Sequence, residues 1–142
     1  MGTMAMSKPM VTTVTIDGDK FNAMSANVSL STATHHSGVP LMGTFVLSIQ
    51  VTVNLHDKEN MPFSLLKKLF ELAKIVTRDK IKDIKIEFWQ DETAQDVICT
   101  YKLKGWISDW HTSSGDGGNH TLLMSIQPAL DQNNVSDLTM SN

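Results

Sequence analysis

The sequence predicts a mainly β protein, a compact two-sheet β-barrel or sandwich with one flanking α-helix. Apolar and polar residues alternate in several segments, most clearly over the twelve residues Thr44–Leu55. Only one segment has the periodicity of an amphipathic helix, and turn-forming residues separate the alternating segments. Because successive side chains of a strand point to opposite faces, such alternation gives each strand one apolar and one polar face.

The first third of the chain is predicted to form a hairpin followed by a third strand. The first strand lies near Met10–Ile16, and Asp17–Asp19, with glycine at its centre, is a hairpin-type turn into Phe21–Met24. The next strand extends to about Thr32. The connection 33–43 is longer than most hairpin loops, and connections of this length are more often functional than accidental.

The alternating segment Thr44–Leu55 is predicted to be one long strand. Its apolar phase contains Phe45, Leu47, Ile49, Val51, Val53 and Leu55. At about 3.4 Å per residue the strand would be about 40 Å long, well beyond the usual ~5–6 residues. A ligand pocket does not need such a strand, whereas an extended sheet, a barrel wall or an assembly does.

One helix is predicted, from about Pro62 to Thr77. Proline suits the first turn of a helix, because an N–H at that position would have no partner within the helix. Apolar residues then recur three and four positions apart, which gives one apolar stripe. The stripe consists of Leu66, Leu69, Phe70, Ala73 and Val76. The helix is therefore expected to lie on the sheet with its lysines facing outward.

Three further strands are predicted after the helix, at Ile84–Trp89, Val97–His111 and His120–Gln127. In the second of these, Gly105 indicates either a bulge or a close approach of two backbones. Trp106 lies among the polar, outward-facing positions of this strand. Either feature could turn its side chain towards the interior.

The 142 residues are expected to form one domain, residues 10–130, with a flanking segment on each side. Residues 1–9 are expected to be disordered and are consistent with a cloning remnant, and residues 131–142 form a polar C-terminal tail. The sequence shows no signal-peptide pattern and no apolar run of membrane-spanning length. Cys99 is the only cysteine, which fits a reducing compartment such as the cytoplasm.

Neither the charge of the chain nor its reactive and metal-binding residue types indicate a catalytic, cofactor-binding or metal site. The net charge is −3, and the scattered lysines give weak support for nucleic-acid binding, which calls for a concentrated basic stripe. His111, Asp116 and His120 flank a glycine-rich loop and could meet across a hairpin mouth, which leaves a metal site or an enzyme as an alternative. Cys99 lies among apolar strand residues, where a thiol is normally inert.

Two local sequences and the order of the elements carry a family resemblance. Ser37–Pro40 leads into the long strand, and in Tyr101–Ile107 an aromatic residue follows glycine within a strand. The elements follow one another as a hairpin, a long loop, an alternating strand, a helix and three strands, from about Met10 to Leu130. Together with the two local sequences, this order resembles the Hcp family, the tube-forming proteins of bacterial type VI secretion.

The resemblance implies an Hcp-like tail-tube fold and a structural, non-enzymatic function. Six subunits would form a ring whose sheets join into a continuous wall, and rings would stack into a hollow tube that carries or chaperones effectors. The implied partners are further copies of the chain, sheath proteins, the tip (spike) and effectors, without nucleic acid, membrane or cofactor. The protein would begin in the cytoplasm and be secreted through the contractile apparatus.

The resemblance also assigns residues to two kinds of contact. The inter-ring or inter-subunit loop would consist of Thr34, His35, His36, Ser37, Gly38, Val39, Pro40, Leu41 and Met42. The lumen-facing residues would be Ser48, Gln50, Thr52, Thr100, Lys102 and Lys104. Hydroxyl and amide groups suit sliding cargo, because they offer weak hydrogen bonds and few apolar anchors.

Two other functions remain open from the sequence besides the enzyme. A phage-like or other contractile-injection tail-tube protein would share the architecture but belong to a different machine. A monomeric β-barrel could bind a small ligand inside, although the interior of a barrel of this size is usually filled by side chains.

Overall fold

The computed structural model describes residues 12–42, 46–91, 93, 95–115, 119–129 and 138–142. The expected leading segment 1–9 lies outside the described residues. So do the first two residues of the predicted strand Thr44–Leu55 and most of the expected C-terminal tail.

The described chain consists of eight strands and one α-helix, with a short 3₁₀ turn at Arg78–Lys80. The strands are β1 (Thr12–Ile16), β2 (Asp19–Ala23), β3 (Ser25–Ser31), β4 (Val46–Asn54), β5 (Lys82–Trp89), β6 (Val97–Ser114), β7 (His120–Pro128) and β8 (Thr139–Ser141). The helix α1 (Phe63–Ala73) lies between β4 and β5. A mainly β class with one helix is thus confirmed.

The strands form one antiparallel sheet in the order β2-β1-β5-β6-β7-β4-β3. Its two ends, β2 and β3, are consecutive in the chain and are separated only by Met24, whose N–H donates to the carbonyl oxygen of Thr52 at 2.7 Å. The sheet therefore curves round on itself like a barrel, and the two expected layers are two parts of one hydrogen-bonded sheet.

The 18-residue strand β6 joins these two parts. Its first half pairs with β5 and its second half with β7, and Gly105 pairs with both neighbours. We call β2, β1, β5 and residues 97–104 of β6 the β5 half of the sheet. The β4 half consists of β3, β4, β7 and residues 106–114 of β6.

The junction at Gly105 is a close approach of two backbones, one of the two alternatives that the sequence left open. A Cβ atom at this position would lie 2.5 Å from the carbonyl oxygen of Gln127. The bulge lies further along, between Ile107 and Asp109. It changes the phase of the strand so that Trp110 pairs with the buried Met124 and joins the core. The expectation that Trp106 turns inward was therefore wrong. The bulge turns Trp110 inward instead.

The interior is one hydrophobic core to which both halves contribute. Val14 and Ile86 come from the β5 half, and Ile49 and Met124 from the β4 half, and all four are fully buried. In β4 the predicted alternation is confirmed, because Leu47, Ile49, Val51 and Val53 are buried and the residues between them are exposed or half-buried.

The helix covers the second half of β6 and is shorter than predicted. Leu69 and Leu72 are buried, and the ring of Phe70 meets that of Trp110 edge-on at 5.6 Å. The helix ends at Ala73, and Ile75 has a positive φ of 50°, which the helical backbone does not permit. The predicted end at Thr77 is therefore wrong. No helix within the described residues is both long and apolar enough to cross a bilayer.

The predicted turn at Asp17–Asp19 is confirmed and is tied to the helix. Asp17 and Gly18 both have positive φ, as a two-residue hairpin turn of type I′ requires. Lys68 of α1 donates a hydrogen bond to Asp19 and lies 3.7 Å from the carboxylate of Asp17. The hydrogen bond to Asp19, together with the attraction of both carboxylates, raises the pKa of Lys68.

The described end of the chain returns to the sheet. β8 pairs with Thr100–Lys102 on the edge of β6 that is not occupied by β5. β7 pairs with the same edge of β6 over Gly105–Ser114, so β8 and β7 lie one after the other along that edge. Leu138 packs against the core just before this strand.

Candidate functional site

The described part of the connection between β3 and β4, residues 32–42, is a small folded loop rather than an open coil, and we call it the finger. Thr34 and Pro40 form a bridge, and the N–H of His35 donates to the carbonyl oxygen of Val39 at 2.7 Å. Gly38 turns the chain with a φ of 90°, a conformation that glycine adopts without steric cost. The finger thus has a defined shape of its own.

The finger exposes apolar side chains. Val39 is 59% exposed and Met42 is 87% exposed, and Leu41 is also exposed. The rings of His35 and His36 lie 4.3 Å apart beside them. Clustered exposed apolar groups on a shaped loop are typical of contact with another protein. The nine residues predicted for the inter-ring loop all lie in this finger.

The predicted lumen residues of β4 lie on the outer face of the sheet. Ser48 and Gln50 are exposed, and Thr52 is half-buried. Their inward neighbours along the strand form the core, so the polar phase predicted for this strand is the outer phase.

Residues of β3 and β7 extend this polar surface and were missed from the sequence. Asn27 and Ser29 pair with Gln50 and Ser48, and Ser125 pairs with Gln50 from the other side. Directly paired residues point to the same face, so all of them lie on the outer face. The apolar residues Val28 and Leu30 alternate with Asn27 and Ser29, so the sequence could have indicated that Asn27 and Ser29 point outward. It could not indicate that they lie beside Gln50 and Ser48, because strand pairing cannot be read from one sequence.

The predicted lumen residues of β6 have different environments. Lys102 and Lys104 are exposed on the outer face of the β5 half. Thr100 has the same phase but is only 7% exposed, and its strand partners are Glu87 and Ser141. Thr100 therefore offers little surface to a cargo in this structure.

The structure places both sets on one face but not on adjacent strands. β7 lies between β4 and β6, and Gln127 of β7 pairs with Trp106 of β6. The outer surface thus runs from Ser48 across Gln127 and Trp106 to Lys104. It changes from neutral to lysine-rich as it passes from the β4 half to the β5 half.

The structure describes only part of the remaining candidate groups. Asp116 lies outside the described residues, and His111 is exposed at the end of β6. The ring of His120 stacks on His56 at 4.8 Å, a pair that the sequence did not indicate. Cys99 is a free, half-buried thiol. Among the described residues, no group of three His, Cys, Asp or Glu side chains could hold a metal ion.

Comparison with known proteins relates this architecture to solved structures. Hcp1 from Flavobacterium johnsoniae superposes with a TM-score of 0.62 at 13% identity, over 92% of this chain and 94% of that chain. A second solved Hcp protein gives 0.60 at 14% identity, over 82% and 87%. No family model and no curated protein sequence matches. The resemblance that the order of the elements indicated is therefore confirmed at the level of structure, and the chain has the Hcp fold.

Proposed function

We propose that this protein is a structural subunit of a type VI secretion inner tube. It assembles as hexameric rings that stack into a hollow tube, and the tube carries or chaperones effectors. The observation that carries the proposal is the Hcp fold over nearly the full length of both chains compared. On this proposal the protein is secreted through the contractile apparatus and meets sheath, tip and effector proteins.

The edge of the sheet supports assembly into a ring. Within the described strands, β3 pairs only with β4, so the other edge of Ser25–Ser31 has unpaired main-chain groups. Leu30 of this strand pairs with the buried Leu47 and so points to the core side of the sheet, yet it is 60% exposed. Exposed edges of this kind invite pairing with another chain. A neighbouring subunit that continues the sheet would satisfy the main chain and cover Leu30.

The polar outer face of β3, β4 and β7 suits the wall of a channel. Hydroxyl and amide groups form weak, exchangeable hydrogen bonds, and the core side chains occupy the inside of the curved sheet. The filled interior favours a wall-forming subunit over a barrel that binds a small ligand within.

Electron microscopy of negatively stained full-length protein tests the ring. Rings with six-fold symmetry are expected, together with stacks at high protein concentration. A small particle of monomer mass at every concentration, in the micrographs and in light scattering, contradicts the proposal. It would favour the monomeric binder instead.

The finger provides the test of stacking. Replacing Val39 and Met42 by aspartate places charges at its apolar tip, and we expect single rings but a loss of at least ten-fold in stacked rings. Ile75→Asp together with Val76→Asp is the matched control, because it adds the same two charges at exposed residues that lie beyond the end of α1. Deletion of Ser37–Leu41 should have the same effect. Tubes of normal length from these finger variants would contradict the assignment of the inter-ring loop.

A further inference from the structure

The outer face of the β5 half carries lysines on β2, β5 and β6, with Thr15 of β1 between the first two of these strands. Lys20 of β2 pairs with Thr15 of β1, Thr15 pairs with Lys85 of β5, and Lys85 pairs with Lys102 of β6. Lys104 lies two residues further along β6 on the same face. The lysines that look scattered in the sequence are therefore brought together by strand pairing.

This arrangement is not the one that stability alone would select. Like charges directly opposite each other on paired strands are destabilising, and Lys85 faces Lys102 in this way. Lys85 lies 3.8 Å from the carboxylate of Glu87. Within the described residues, no carboxylate lies within ion-pairing distance of Lys102 or Lys104, although Asp83 pairs with Lys104 in the register.

An open groove of about 650 Å³ lies among these lysines. It is lined by Thr15, Gly18, Asp83, Ile84, Lys85, Lys102, Leu103 and Lys104. The hydroxyl oxygen of Thr15 is buried there and has no hydrogen-bond partner among the described residues. A buried hydroxyl without a partner is costly, and it can donate a hydrogen bond to an anion that enters the groove. The groove therefore combines ammonium groups with a free hydroxyl donor.

We propose that this groove is a docking site for acidic segments of the cargo protein. Carboxylates of the segment bind Lys85, Lys102 and Lys104, and one of them accepts a hydrogen bond from Thr15. Charge complementarity favours a polypeptide with spaced carboxylates over nucleic acid, because Asp83 and Glu87 interrupt the positive face and would repel a continuous line of phosphates. The inference rests on the proposed function only in taking a cargo protein as the partner.

The test measures binding of a fluorescein-labelled twelve-residue peptide of alternating glutamate and serine to the full-length protein. We expect saturable binding that weakens with added salt. The triple substitution Lys85→Gln, Lys102→Gln and Lys104→Gln should weaken it at least ten-fold, and Thr15→Val about three-fold. The twelve-residue peptide of alternating lysine and serine should not bind.

A control variant separates the groove from net charge. Lys58→Gln, Lys67→Gln and Lys74→Gln together remove the same charge from the connection before α1 and from the helix region, and we expect less than a two-fold change. Equal weakening by both triple variants would overturn the proposal. So would stronger binding of a twelve-residue thymidine oligonucleotide, or of vesicles containing one-third phosphatidylserine, than of the acidic peptide.

Ring formation of each variant is checked by microscopy, so that the two hypotheses fail separately. Rings without peptide binding overturn the docking site and leave the tube intact. Peptide binding that depends on the three lysines in a protein without rings supports the groove and contradicts the tube.

Discussion

The two halves of the sheet share one interior but present different outer surfaces. In the β4 half the outer residues of β3 and β4, such as Asn27, Ser29 and Gln50, are neutral and exposed. In the β5 half the same face carries Lys85, Lys102 and other lysines. Burial determines the inner face in both halves, whereas it constrains only a few residues of the outer face, such as Thr100. Differences between the outer surfaces therefore indicate function more directly than the core does.

The comparison also shows where the halves depend on each other. β6 belongs to both, and its backbone approaches β7 most closely at the boundary, at Gly105. The core side chains of both halves form one cluster. We therefore expect the two halves to unfold together although their outer surfaces differ in charge.

The largest expected effect tests this shared core. Ile49→Ala in the β4 half and Ile86→Ala in the β5 half each remove a fully buried side chain, and each should lower the free energy of unfolding by about 3 kcal/mol. Urea denaturation at fixed protein concentration, followed by tryptophan fluorescence and circular dichroism, measures it. The exposed Gln50→Ala is the control, with a change within about 0.5 kcal/mol. A two-step transition in either core variant would show that the halves unfold independently.

A smaller effect is expected at the boundary. Gly105→Ala adds a methyl group 2.5 Å from the carbonyl oxygen of Gln127, and we expect a loss of about 2 kcal/mol because backbone must move. Gly115→Ala meets no described atom within 4 Å and should be nearly neutral. Equal stability of the two variants in the same denaturation assay would mean that the approach at Gly105 relaxes without cost.

The smallest effect distinguishes the two outer surfaces. Lys102→Gln removes the repulsion from Lys85, so the variant should be more stable than the parent protein by a few tenths of a kcal/mol at low salt. The gain should shrink in 0.5 M NaCl, because salt screens exposed charges. Ser48→Gln in the β4 half introduces the same side chain and should show no salt-dependent change. A destabilised Lys102→Gln variant would indicate that this lysine has a stabilising partner.

Much of the architecture was predictable because local patterns are strong. The alternation in β4, the turn at Asp17–Asp19 and the apolar stripe of α1 each determine their element from neighbouring residues. The helix end was not predictable, because Val76 continues the apolar periodicity while the positive φ of Ile75 ends the helix. The bulge at Ile107–Asp109 was also missed, since it arises from pairing with β7 and has no glycine to indicate it.

By itself, the sequence determined which residues of the regular strands are inside and which are outside, because the period of two along a strand is a local property. At the bulge in β6 only the pairing with β7 decided that Trp110 joins the core. The sequence also determined the order of elements that resembles the Hcp proteins. Only the tertiary structure decided which strands are neighbours, and so which polar residues share a surface. That is why Lys85 of β5 and Lys102 and Lys104 of β6 look dispersed in the chain yet line one groove, since strand pairing joins residues that are far apart in sequence.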